Sequence, residues 1–138
     1  MTLPFDHAGV ESTDIDADVE AYREAIGLVH VRWGVHFATQ RRIALLHDGR
    51  GVKLELIEVD QCEGTWSHIA FRSMDVSADH DRAVSAGFRT VQAATRIEAA
   101  LAMSAFVRAP SSTLVQLIQY DSMSPDLGIP RSPMSSPQ

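Results

Sequence analysis

Apolar and polar positions along this chain switch between a period of two and a period near 3.6, and they do so twice in the same order. A strand is predicted over about residues 4–11, after which Ser12-Thr13-Asp14-Ile15-Asp16 supplies turn and N-cap chemistry. A helix over about 17–26 follows, with Val19, Tyr22 and Ile26 on one face and Gly27 placed to end it in the left-handed conformation. In the next strand, about 28–38, Val29, Val31, Trp33, Val35 and Phe37 alternate with His30, Arg32, Gly34, His36 and Ala38. Arg42–His47 reads as a third strand, Asp48-Gly49-Arg50-Gly51 as a hairpin turn, and Val52–Val59 as a fourth strand.

The order then recurs. A strand over Trp66–Arg72 leads through Asp75-Val76-Ser77 into a helix near 78–86 that ends at Gly87. Strands near 89–93, 100–108 and 113–120 complete the second unit. The offset is 61 residues at both ends of the unit: His7 is echoed by His68, and Glu55 by Gln116. A repeat of this length implies two copies of one β-α-β-β-β unit, neither able to bury its face alone. The expected architecture is α+β, with two tandem modules (about 4–59 and 65–120) forming a cup-shaped mixed sheet with the helices outside. Strand alternation then assigns faces. The apolar set beginning at Val29 faces the helix, which turns His30, Arg32 and His36 into the cup. Ile69 and Phe71 are helix-facing, so His68 points inward with Trp66 and Ala70, and His7 does the same by the repeat. Pseudo-symmetry therefore gathers His7, Glu55, His68 and Gln116 as candidates for one shared site.

Length and charge narrow the classes. The 138 residues fit one domain over 1–120, followed by a Ser/Pro-rich tail over 121–138 expected to be flexible or draped on a surface. A net charge of −6 argues against a nucleic-acid partner, whose binding needs clustered Lys and Arg. No apolar run reaches the ~20 residues of a membrane helix, and the N-terminus lacks a basic segment followed by an apolar one. The lone Cys62 fits a reducing compartment. A cytoplasmic protein with a small-molecule substrate and no membrane partner is the expectation.

The residues Phe5-Asp6-His7-Ala8-Gly9-Val10, Asp14-Ile15-Asp16-Ala17, Tyr22–Leu28 and the closing strand Leu114–Tyr120 resemble the vicinal oxygen chelate superfamily. This superfamily includes glyoxalase I, methylmalonyl-CoA epimerase, extradiol dioxygenases, and fosfomycin- and bleomycin-resistance proteins. The resemblance runs from about residue 4 to 120 and implies one divalent metal ion (Zn, Ni, Co, Mn or Fe) held by His7, Glu55, His68 and Gln116. It also implies a homodimer, and a lyase or isomerase/epimerase acting on a small carbonyl or thioester through an enolate-like intermediate. A non-catalytic small-molecule binder and an Fe(II) extradiol-type dioxygenase are the alternatives. Such enzymes usually carry Glu where this chain has Gln116, and an amide cannot take up a proton at useful pH. Glu55 becomes the candidate base, with His36 or His30 as substitutes. His30, Arg32 and Trp66 are candidate substrate contacts. Arg41 and Arg42 read as a basic hairpin rim, Asp79, Asp81 and Arg82 as a solvated helix face, Trp33 as core, and Tyr120 as a residue at the mouth.

Overall fold

The computed structural model describes residues 2–127. Eight strands form one sheet: β1 (Phe5–Ser12), β2 (Val29–Val35), β3 (Arg42–His47), β4 (Lys53–Glu58), β5 (His68–Arg72), β6 (Arg89–Ile97), β7 (Ala102–Arg108) and β8 (Leu114–Tyr120). The strand order is β2-β3-β4-β1-β5-β8-β7-β6, and the sheet curls into a half-barrel. Helices α1 (Ile15–Ala21) and α2 (Val76–Ser85) follow the first strand of each module. Both modules thus share one sheet within a single chain, joined where β1 runs antiparallel to β5.

The repeat is carried down to individual contacts. Asp14 caps α1 by accepting from the Ala17 N–H, and Asp75 caps α2 by accepting from the Ala78 N–H. Ser12 donates to Asp18 at 2.5 Å, and Ser73 donates to Asp79 at 2.5 Å. Asp79 is therefore buried rather than part of a solvated face, with Arg82 closing over it at 2.8 Å.

Alternation sorts the side chains into two layers. Ala44, Leu46 and Leu56 pack under Ile15 and Val19 of α1. A seven-residue helix has little stability of its own, so this burial is what holds it. In the second module Val76 of α2 meets Ala105 and Leu117. The intervening residues, Ile43 and Ile57 on one side and Ala102 and Ile118 on the other, belong to separate clusters on the concave face. Glu55 and Gln116 share the parity of Ile57 and Ile118, which settles their direction into the cup.

Four expectations change. The first helix ends at Ala21 and continues as a π-helical turn over Tyr22–Ile26, which rotates Ile26 off the apolar face and leaves it 66% exposed. Gly27 then takes φ 87°, as the left-handed C-cap. A β-bulge between His30 and Arg32 reverses the parity of β2 at that point. Trp33 is not core: it is 41% exposed, edge-on to His30 and beneath the Arg42 guanidinium. The tail, finally, does not leave the domain at Tyr120. Asp121 donates its N–H to the Leu101 carbonyl, and a 3₁₀ turn at Pro125–Leu127 buries Ser124 and Asp126. Residues 128–138 lie outside the described part. No helix among the described residues is long and apolar enough to cross a membrane.

Candidate metal centre

The two repeat histidines meet where the modules join. Across the β1–β5 pair, His7 stands opposite Ala70 and Gly9 opposite His68, so both imidazoles rise from neighbouring strands onto the same face. The His7 Nε2 and His68 Nε2 atoms lie 2.9 Å apart. Each ring has its other nitrogen occupied: His7 Nδ1 by the Asp6 carboxylate at 2.7 Å, His68 Nδ1 by the Trp66 carbonyl at 3.2 Å. An Nδ1 facing an oxygen acceptor carries a proton, so in the neutral rings both Nε2 lone pairs are aimed at one point. Two lone pairs at that separation repel unless a proton or a metal ion lies between them.

Glu55 and Gln116 complete the arrangement symmetrically. Glu55 is in register with Gly9 on β1, and Gln116 with Ala70 on β5. Ligand atoms of His7, Glu55 and His68 all lie within 4.8 Å of one another, with Glu55 Oε1 3.5 Å from His68 Nε2. Gln116 is 4% exposed and donates its amide to Ser104 Oγ at 2.8 Å. Its Oε1 is buried with no hydrogen-bond partner. Native interiors rarely leave such an acceptor unmatched. The convergent lone pairs and the orphan amide oxygen both fit a divalent cation, held by two imidazoles, a carboxylate and an amide oxygen.

Gly9 makes room for this. A Cβ built there would lie 2.3 Å from the nearest atom of the His68 ring, closer than any real contact. Gly9→Ala is therefore expected to displace His68 and weaken metal affinity about 10–100-fold, the usual effect of misaligning a ligand. Isothermal titration with Zn²⁺ or Co²⁺ reads this directly. Unchanged affinity would mean that His68 does not ligate from its observed position.

A buried polar network, which the sequence reading did not anticipate, backs His7. Asp6 accepts from His7, from Lys53 Nζ at 2.9 Å, and from the Tyr120 hydroxyl. Burial alone would raise the Asp6 pKa, but the His7 bond, the Lys53 charge and the Tyr120 bond outweigh it and hold it at about 2. Tyr120 is accordingly beneath the site rather than at its mouth, its pKa pushed up by burial and by Asp6. Lys53 also donates to the Asp126 carbonyl at 2.5 Å, and the Asp126 carboxylate takes both a 2.6 Å and a 2.7 Å bond from Arg32. A carboxylate behind a ligating imidazole fixes its orientation and raises its basicity.

The cup in front of the site is a cavity of about 350 Å³ whose lining includes Arg32, His36, Phe37, Phe106 and Ile118 with His7, Glu55 and Gln116. Arg32 and His36 face it as alternation requires. His30 does not. The bulge puts it on the helix side, in a wider cleft of about 960 Å³ that contains none of the four clustered residues. Trp66 is not among the residues lining the cup but braces it from behind, edge-on to His36 with ring centroids 4.5 Å apart. Arg41 pairs with Asp60 and Glu58, and Arg42 with Asp16 and Glu58.

Burial holds the pKa of His36 below 6.5, with the Glu55 charge opposing and His68 assisting. Burial depresses His68 too, again against Glu55. The unfolded chain then takes up protons that the folded chain refuses as pH falls below about 6.5. Stability of the metal-free protein should be complete above that value and decline on acidification. A thermal midpoint independent of pH between 7 and 5.5 would contradict the burial of these rings.

Two β-α-β-β-β units in one curled sheet, with a His-Glu-His cluster where they join, constitute the vicinal oxygen chelate fold. Within it, the chain is structurally close to methylmalonyl-CoA epimerases. An epimerase in complex with methylmalonyl-CoA and NH4+ is 26% identical, with TM-score 0.72 over 90% of this chain and 99% of the other. The Mycobacterium tuberculosis epimerase is 24% identical, with TM-score 0.71 over 86% and 88%. A hypothetical protein from Bacillus halodurans C-125 is 19% identical, with TM-score 0.72 over 90% and 99%. No protein-family model matches the chain, and no curated protein matches it.

Proposed function

We propose that this protein is a metal-dependent isomerase, epimerase or lyase that moves a proton next to a carbonyl in a small carbonyl or thioester compound. The observation that carries the reading is the convergence of the His7 and His68 Nε2 atoms beside Glu55 at the cup. A divalent ion bound there would polarise a substrate carbonyl and stabilise the negative charge left when the adjacent proton is removed. His7, His68, Glu55 and Gln116 are the residues that would hold it.

The protein's own groups divide the remaining work. Glu55 is the carboxylate available to take the proton, because Gln116 has no proton affinity at neutral pH. His36 plays a different part from the base expected of it. Its Nδ1 accepts backbone N–H bonds from Ala38 at 3.1 Å and Thr39 at 3.4 Å, so the neutral ring carries its proton on Nε2. It is a hydrogen-bond donor for a substrate oxygen. Phe37, stacked on Phe106 with centroids 5.4 Å apart, and Ile118 exclude water from the reacting face.

The test is deuterium exchange. Protein loaded with Co²⁺ or Zn²⁺ in D₂O should exchange the proton next to the carbonyl of small α-hydroxycarbonyl compounds or 2-acyl thioesters, read by NMR. A panel in which no compound exchanges above the metal-free control would overturn the proposal. We take the working form to be a cytoplasmic homodimer; a monomer mass in light scattering would remove the dimer from this reading.

A further inference from the structure

We infer that Asp126 restricts the cup to small carbonyl compounds bearing no carboxylate beside their chelating oxygens. This rests on the metal-centre reading above and names the substrate class of that same site. The cavity lining includes two cations, Arg32 and Arg96. Arg96 lies at the rim, paired with Asp121 at 2.9 Å and Glu98 at 3.5 Å. Arg32 is deeper, 12% exposed, and is the group that would receive a substrate carboxylate. Its fork is already filled by both Asp126 oxygens, the two-bond geometry in which a guanidinium binds one carboxylate.

Asp126 is a wall and not a displaceable occupant. Its side chain is 3% exposed. Its carbonyl is bound by Lys53, its N–H donates to Ser124 Oγ at 3.0 Å, and the Ser124 hydroxyl is itself fixed on the Ala100 carbonyl. Nor is Arg32 free to turn away. A Cβ at Gly34 would come within 2.5 Å of its guanidinium, so the side chain lies against bare backbone in a slot that only glycine leaves open. Burial opposes the Arg32 charge, which Asp126 and the field of Glu55 together sustain. A second carboxylate in the cup would find Arg32 neutralised and would share the cavity with the Asp126 charge, away from most of its water.

The inference is tested by ligand binding to Co²⁺-loaded protein, followed by the visible spectrum. Butyrohydroxamate and succinic monohydroxamate offer one chelating group on similar frames, the second ending in a carboxylate. Wild-type protein should bind butyrohydroxamate on the order of tenfold tighter or more. Asp126→Asn keeps an acceptor for Arg32 but removes the negative charge. It should gain about tenfold for succinic monohydroxamate and change little for the neutral ligand. Equal or tighter binding of the anionic ligand by wild type, or an unchanged ratio in Asp126→Asn, would overturn the inference. If that variant does not fold, the wild-type ratio alone decides. Failure to take up Co²⁺ at all strikes the metal-centre reading itself, which separates the two outcomes.

Discussion

Glu55→Gln should lower proton-exchange activity about 10²–10⁴-fold, the range supplied by a positioned general base, while the protein still takes up its metal. The substitution keeps an amide oxygen where a carboxylate oxygen stood, as Gln116 does at the pseudo-equivalent position. Ligation is weakened but proton uptake is abolished, so metal content and turnover separate. Glu55 is placed for both roles, with Oε1 3.5 Å from His68 Nε2 and its carboxylate on the cavity wall. The pseudo-twofold relation sharpens the expectation. Adding Gln116→Glu to that variant moves the carboxylate to the other module, near Ser104, and should restore part of the exchange. Activity within tenfold of wild type in Glu55→Gln would assign the base elsewhere. Parallel loss of metal and activity would make Glu55 a ligand only.

Lys53→Met should destabilise the protein by about 3–5 kcal/mol, the cost of breaking a buried ion pair from one side. The side chains of Lys53 and Asp6 are each 3% exposed, so bulk solvent is poorly placed to replace the lost partner. Burial lowers the Lys53 pKa, with the Asp6 charge and hydrogen bond opposing. Met keeps the length and apolar stem, which confines the change to charge and hydrogen bonds. Asp6 would then retain His7 and Tyr120 alone. In a domain of this size the loss corresponds to roughly 10–15 °C in thermal midpoint. Acid sensitivity should move as well. Asp6, depressed to about 2 in the folded protein, contributes stability above its ordinary 3.8 that is lost as pH falls through the folded value. Removing Lys53 brings that loss to higher pH. A change below about 1 kcal/mol in urea unfolding would show that Asp6 is already satisfied without it.

What could be read from the sequence, and what could not, follows the repeat. Positions where the copies agree were legible: His7 and His68, and the turn glycines Gly27 and Gly87. The capping segments around Asp14 and Asp75 were legible too, although the helices begin two residues earlier than expected, at Ile15 and Val76. Alternation alone carried the cup-facing parity of Arg32 and His36. Positions where the copies differ carried the hidden part of the site. Asp6, Lys53 and Tyr120 stand where the other module has Ser67, Leu114 and Val59. A charged residue on one copy's apolar pattern, opposite an uncharged one on the other, was the available signal for the network behind His7. Gly9 against Ala70 carried a similar one, because only the His68 side needs a missing Cβ. Two features left no local trace. The bulge that sends His30 outward depends on pairing with β3. The return of Asp126 into the cup depends on Arg32, ninety-four residues away. A composition rich in Ser and Pro describes the tail's freedom, not the two buried side chains that anchor its first turn.

The central claim is that His7, Glu55, His68 and Gln116 form one metal centre. Elemental analysis of protein purified from cells grown with mixed divalent metals tests it most directly. One divalent ion per chain in the wild type, and none retained by His68→Ala of intact fold, is the result this structure predicts. No metal in the wild type, or the same content in His68→Ala, would contradict it.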